Sequence, residues 1–288
     1  MQIRTVLCPI DFSALQGVEV GVAVEVCRAF GAKLVLHHDL AAAEPGFSRA
    51  WEWNKAHEGD EHRTPHAERR LQALVNEVGK HVPVEAAITS GPIGQSVLTL
   101  ARAIPADVIV IGSHGWSTQD HASVTERLVD ESPCPVLTFQ ESVGNAGAFR
   151  LRSAPGDKPF PVLVPTDLTR DSNVGVAYAC ELARRLPLRL DLLHVLAGDQ
   201  SDRKAESAQL AMDSHVPIDL VDRVSAHVRL GPTAETIVEY ADETAPAFVV
   251  LGEHAHGLVR RLLTRDTARA VVREVRCPVW VVPPRLAA

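Results

Sequence analysis

The chain has 288 residues, 46% apolar and 23% charged, with a formal net charge of -7 and a pI near 6.0. That length suits two domains of about 140 residues, and the acidic balance excludes a general grip on nucleic-acid backbones, which needs clustered Lys and Arg. No run approaches eighteen apolar residues, and the first residues lack a basic region followed by an apolar core, so neither a membrane span nor an export signal is expected and the cytoplasm is the expected location.

In chain order, the first apolar run is Val6 to Ile10, short and ending in Pro9-Ile10-Asp11. It reads as a buried strand. Val18, Val22, Val26 and Cys27 follow at helical spacing, with Asp11 or Ser13 as the expected N-cap. A second strand, Leu34 to His37, leads through His38 into Asp39 to His66, a polar stretch carrying Trp51, Trp53, His57, His62 and His66. Three histidines in one stretch raise a metal site, but there is no HExxH, and Pro65 argues against a helix aligning His62 with His66, so no metal is expected.

The next strand, Val108 to Ile111, runs into Gly112-Ser113-His114-Gly115. Glycines after a strand let backbone amides approach an anion closely. Ala122-Ser123-Val124-Thr125-Glu126 then opens a helix, with Ser123 and Glu126 spaced as a capping box. A last strand, Val136 to Phe139, follows Cys134-Pro135, and residues 142–159 have the Gly, Asn and Pro content of a linker.

From Phe160 the pattern repeats. Asp11 matches Asp167, Leu36-His37 matches Leu193-His194, Gly91-Pro92 matches Gly231-Pro232, Ile111-Gly112 matches Leu251-Gly252, and Cys134-Pro-Val matches Cys277-Pro-Val. The spacings make the first copy 17 residues longer between the second and third landmarks and 3 shorter after its glycine. Ile237, Val238 and Ala241 give a helix of the second copy. The expected domains are 1–141 and 160–288 joined by 142–159, and the expected class is α/β: two tandem open parallel five-stranded sheets with helices on both faces. Ligands of such sheets bind beyond the carboxyl ends of the strands where strand order reverses. Five cysteines without a CxxC pair read as buried reduced thiols.

These residues resemble the universal stress protein family, whose ATP-holding members carry an Asp after Pro-x at the end of the first strand and Gly-x2-Gly-x9-Gly-Ser or Gly-x2-Gly-x9-Gly-Thr after a later one. Asp11, Gly112 and Gly115 match. Ala122 stands in place of the third Gly, with six residues before it instead of nine. The resemblance implies a Rossmann-like fold and an adenine nucleotide such as ATP held by Pro9, Ile10, Asp11, His37, His38, Gly112, Ser113, His114, Gly115, Ser123, Val124 and Thr125. It also implies pairing of the two domains through their last strands, with a homodimer as a further option. In the second copy, Gly252 and Gly257 are spaced two residues further apart, and Arg265-Asp266 replaces the Gly-Ser pair. An N-cap carboxylate there repels phosphate, so the second copy is expected to be structural. No nucleophile accompanies His114, His254 or His256, so any hydrolysis is expected to be incidental. The competing readings are a scaffold that binds no nucleotide and, further off, a metal-dependent hydrolase using the His-rich stretch.

Overall fold

The computed structural model describes residues 1–12, 16–40, 60–113, 119–140, 149–152, 158–169, 172–196, 202–252 and 265–284. The first repeat runs β1 (Thr5–Pro9), α1 (Gln16–Phe30), β2 (Lys33–Asp39), α2 (Asp60–Val78), β3 (Val84–Thr89), α3 (Ile93–Ala103), β4 (Val108–Ser113), α4 (Gln119–Glu131) and β5 (Val136–Gln140). The second runs β6 (Phe160–Pro165), α5 (Ser172–Arg185), β7 (Leu188–Leu196), α6 (Asp202–His215), a 3-10 helix (Ile218–Arg223), β8 (Val224–Leu230), α7 (Thr233–Thr244), β9 (Phe248–Gly252), α8 (Arg265–Glu274) and β10 (Val279–Val282). Contacts divide the chain into two compact units, Met1–Val136 with Gly144–Phe149, and Leu137–Val143 with Arg150–Ala288.

In the first unit the strand order is β3-β2-β1-β4, all parallel, with Pro9 opposite His37, Val6 opposite Val108 and Asp39 opposite Thr89. The second has the order β10-β9-β6-β7-β8, with Pro165 opposite Leu193 and Val162 opposite Phe248. Every residue of β1 and of β9 is buried, as continuous apolar runs covered on both faces require. Leu7, Leu34, Leu36 and Ile109 centre one core, and Leu163, Phe248 and Trp280 the other. Right-handed crossovers put α1 and α2 on one face of the first sheet and α3 and α4, which pack together, on the other. The turns entering α3 and α7 are copies of each other: Gly91 and Gly231 sit at φ 142° and 148°, where a side chain would be strained, and each precedes a proline at the helix cap.

Five sequence expectations change. The register pairs His38, not His37, with His194, because Pro9 lies opposite His37 while Pro165 lies opposite Leu193. This keeps the spacing set by Asp11 and Asp167 and shortens the first copy's surplus by one residue. Helix α2 starts at Asp60 and continues through Pro65, which puts His62 and His66 one turn apart. Early in a helix a proline forfeits a single amide bond, and burial of Ala67 and Leu71 holds the following turns. Phe12 has φ 59° and so cannot be the first helical residue that an Asp11 cap requires, while Ser13 lies outside the described residues. Ser123 is the fifth residue of α4 rather than its cap, and Asp266 is the second residue of α8.

Candidate functional site

Strand order reverses beside β1, which has β2 on one side and β4 on the other. The exit of β1 is pinned. The Ile10 amide donates to the His37 carbonyl at 2.8 Å, and His38 Nδ1 donates to the Ile10 carbonyl at 3.0 Å. A carbonyl only accepts, so the proton of neutral His38 is on Nδ1. Burial is the main reason that the His38 pKa lies below its ordinary value, partly offset by the Ile10 bond and by Asp39 and Asp11. Asp11 comes next and is exposed.

Phe12 then adopts φ 59°, a left-handed conformation that costs a non-glycine residue about 1–2 kcal/mol. Two contacts hold it there. The Arg70 guanidinium lies 4.2 Å from the Phe12 ring centre, and the His38 ring 4.4 Å away. Arg70 also donates to the Phe12 carbonyl at 3.4 Å. The second copy repeats the device: the Thr166 amide donates to Leu193, His194 Nδ1 donates to the Thr166 carbonyl at 2.8 Å, and Leu168 has φ 61°. There Asp167 Oδ1 accepts from both the amide and the hydroxyl of Thr169, at 3.0 and 2.5 Å.

At the end of β4 the copies part company. Glu19, on α1 and only 3% exposed, accepts the Gly112 amide at 3.0 Å. Its carboxylate lies so close that a Cβ on residue 112 would come within 2.7 Å of Glu19 Oε1. The residue equivalent to Glu19 is Gly175, and a Cβ there would meet the Gly252 backbone nitrogen at 2.5 Å. One copy places a carboxylate under the first loop glycine; the other places bare backbone.

On the opposite face of β2 from His38, Thr89 Oγ1 donates to Asp39 Oδ2 at 2.6 Å. The same hydroxyl must therefore accept from His37 Nε2, 2.7 Å away, which leaves His37 Nδ1 without a proton. Burial, chiefly, pushes the His37 pKa down to about 4, so its ring is neutral at pH 7. Leu193 and Val195 stand at the matching positions of the second copy.

The structure thus brings Pro9, Ile10, Asp11 and His38 together at the reversal, with Gly112 and Ser113 ending the neighbouring strand. His37 and His38 point to opposite faces and do not converge, as alternation along a strand dictates. His114 and Gly115 lie outside the described residues, as does His57. Ser123, Val124 and Thr125 are in the second turn of α4, where the amides bond within the helix, and Thr125 is buried. Sequence reading missed Glu19; applying the Asp11 to Asp167 spacing to α1 would have set a carboxylate opposite a glycine.

Among the described residues no group of three or more His, Cys, Asp or Glu is placed to hold a metal, and no helix is long and apolar enough to cross a membrane. The five cysteines are free thiols, four buried and Cys277 half-buried. Burial raises all their pKa values, to about 12 for Cys27 and Cys277 and about 11 for Cys134 and Cys180. A cleft of about 570 Å³ between α2 and β3, lined by Glu68, Arg69, Leu71, Gln72, Ala86 and Ile88, lies at the sheet edge rather than at the reversal.

The sequence profile of the universal stress protein family matches residues 2–140 and 160–283. The fold is similar to the crystal structure of a universal stress protein from Archaeoglobus fulgidus DSM 4304, 17% identical, with 99% of this chain and 100% of that one covered at a TM-score of 0.74. It is also similar to a putative universal stress protein from Pseudomonas aeruginosa UCBPP-PA14, 14% identical, covering 99% and 95% at a TM-score of 0.62. No curated protein matches the sequence.

Proposed function

The chain belongs to the universal stress protein family, and from that premise we propose that its first unit binds an adenine nucleotide at the carboxyl ends of β1 and β4 while its second unit serves a structural role. The observation that carries this reading is the left-handed turn at Phe12, which holds Asp11 exposed beside the reversal of strand order. Strain in a non-glycine residue is kept where surrounding contacts over-determine it, and such places cluster at ligand sites. A fixed, exposed carboxylate is a hydrogen-bond acceptor suited to the hydroxyl or amino groups of a nucleoside. Gly112 and Ser113 end β4, and the first-turn amides of α4, which have no partner within the helix, are donors of the kind that phosphate uses. In the second copy Asp266 stands in the first turn of α8, where a negative charge opposes an anion. The nucleotide serves here as a bound signal, with no catalytic group assigned to it.

Calorimetric titration of ATP and AMP against the full-length chain tests the reading. A nucleotide that favours the native state must raise apparent stability. Asp11→Ala is expected to weaken binding by about tenfold or more, roughly 1.4 kcal/mol, and to lower affinity far more than stability. Absence of heat and of thermal shift at millimolar nucleotide would defeat it and favour a scaffold without nucleotide.

A further inference from the structure

We propose that Arg70 is a positioning residue for the crevice of the first unit: from α2 it holds the Phe12 turn in the conformation that presents Asp11, and so sets affinity for the nucleoside without itself contacting it. The inference rests on the nucleotide reading above and adds the element that controls it.

The turn needs holding. At φ 59° a non-glycine residue is strained, and a Phe12 released from its contacts would relax to ordinary backbone geometry and carry its neighbour Asp11 with it. In the second copy the same turn is secured from within, where Thr166 Oγ1 accepts the Leu168 amide at 3.1 Å and Asp167 Oδ1 accepts the Thr169 amide at 3.0 Å. The first copy has Ile10 in place of Thr166, so it lacks the hydroxyl that the first of these bonds requires. It has instead an aromatic ring, Phe12, in place of Leu168. The ring is what the rest of the unit grips.

The grip comes from two directions. His38 approaches the ring to 4.4 Å, but it belongs to β2 and its Nδ1 is bonded to the Ile10 carbonyl, so the sheet fixes it. Arg70 comes from α2, which burial of Ala67 and Leu71 seats on the sheet. Its guanidinium lies 4.2 Å from the ring centre and donates to the Phe12 carbonyl at 3.4 Å. One side chain therefore engages both the ring and the main chain of the strained residue. A guanidinium suits this double task, because its flat face stacks on an aromatic ring while its edge still carries donors.

A positive charge beside a nucleotide site could act differently, as a counter-ion to phosphate. The two roles separate on an uncharged ligand. Positioning works through Asp11, and hence on adenosine and AMP alike, whereas a counter-ion acts on AMP alone. They separate again at Phe12, since glycine adopts a positive φ without strain and makes a clamp on residue 12 redundant.

The test is calorimetric titration of adenosine and AMP into the full chain and its Arg70→Met, Phe12→Gly and doubly substituted forms, with circular dichroism confirming that each is folded. Loss of the clamp sets the strain of one residue against binding, so R70M is expected to weaken adenosine and AMP equally, by about tenfold. Added to F12G, the same change is expected to alter either affinity by less than about twofold. Arg70→Lys serves if R70M does not fold; it keeps a cation over the ring without the flat face and is expected to lose about threefold for both ligands. A loss confined to AMP, an equal loss in the F12G background, or no loss while the natural chain binds adenosine overturns the inference and leaves nucleotide binding standing. Binding of neither ligand by the natural chain overturns both.

Discussion

At the junction of the first helix with the glycine-ended strand, the two copies solve one packing problem in two ways. The second closes it backbone to backbone, with Gly175 so near Gly252 that even a methyl group has no room. The first opens the junction by the width of a side chain and fills the space with the Glu19 carboxylate, which takes the Gly112 amide. Duplicated sheets can therefore diverge in polarity while keeping register: the strands stay aligned, and what lies beneath one glycine changes from backbone to a carboxyl group. The His37, Thr89 and Asp39 relay repeats the lesson on the other face, where the second copy has Leu193 and Val195. In both places the first unit is the more polar one.

The sharpest way to break this comparison is to add one methyl group to each copy. Gly175→Ala meets only backbone atoms, at 2.5 Å from the Gly252 nitrogen and 3.0 Å from its Cα, so α5 must move as a body and a loss of about 3 kcal/mol is expected in the second unit. Gly112→Ala meets the end of a flexible side chain instead, and Glu19 can yield, so about 1 kcal/mol is expected. Chemical denaturation followed by hydrogen exchange on β4 and β9 separates the two. Equal losses would show that the junctions are not different in kind.

Acid is the next lever. The folded His37 pKa of about 4 lies below its ordinary value of roughly 6.5, so below pH 6.5 the unfolded chain takes up a proton that the folded one refuses. The stability held by neutral His37 is complete above pH 6.5 and is lost as pH falls towards 4, by about 2.5 kcal/mol at pH 4.5. The second unit has Leu193 at this position and is spared that loss. His37→Leu should flatten the first unit's acid dependence, measured by denaturant midpoints between pH 7 and 4.5; an unaltered slope would assign the acid sensitivity to other groups. The smallest expected effect is at Asp167. Its replacement by Ala removes two bonds to Thr169 and should cost about 1 kcal/mol of stability, read from the denaturant midpoint.

Much of this architecture is legible in the residues themselves. Runs such as Val6 to Ile10 and Val108 to Ile111 are apolar at successive positions because both faces of a parallel sheet are covered, and their recurrence in order exposes the duplication. Asp11 and Gly112 are legible as well, through their place at strand ends. What the residues conceal is side-chain direction. His37 and His38 look like a pair but point to opposite faces, and only the opposing strand decides which of them matches His194. Glu19 looks like the solvent-facing residue of a valine-rich helix, yet it is buried because the Gly112 amide receives it. Pro65 looks like a boundary, but the apolar spacing of Ala67 and Leu71 extends helix back past it. In each case a long-range partner overrides a local rule.

The raised pKa values of all five thiols have a practical consequence for covalent labelling. With Cys27, Cys134, Cys180 and Cys277 held near 11 to 12, and Cys8 higher than its ordinary value, almost none of them is thiolate at neutral pH. Maleimide chemistry proceeds through the thiolate. A single cysteine introduced at an exposed position is therefore the one that reacts, and a fluorophore can be written into either unit of the native chain without first removing a residue from its core.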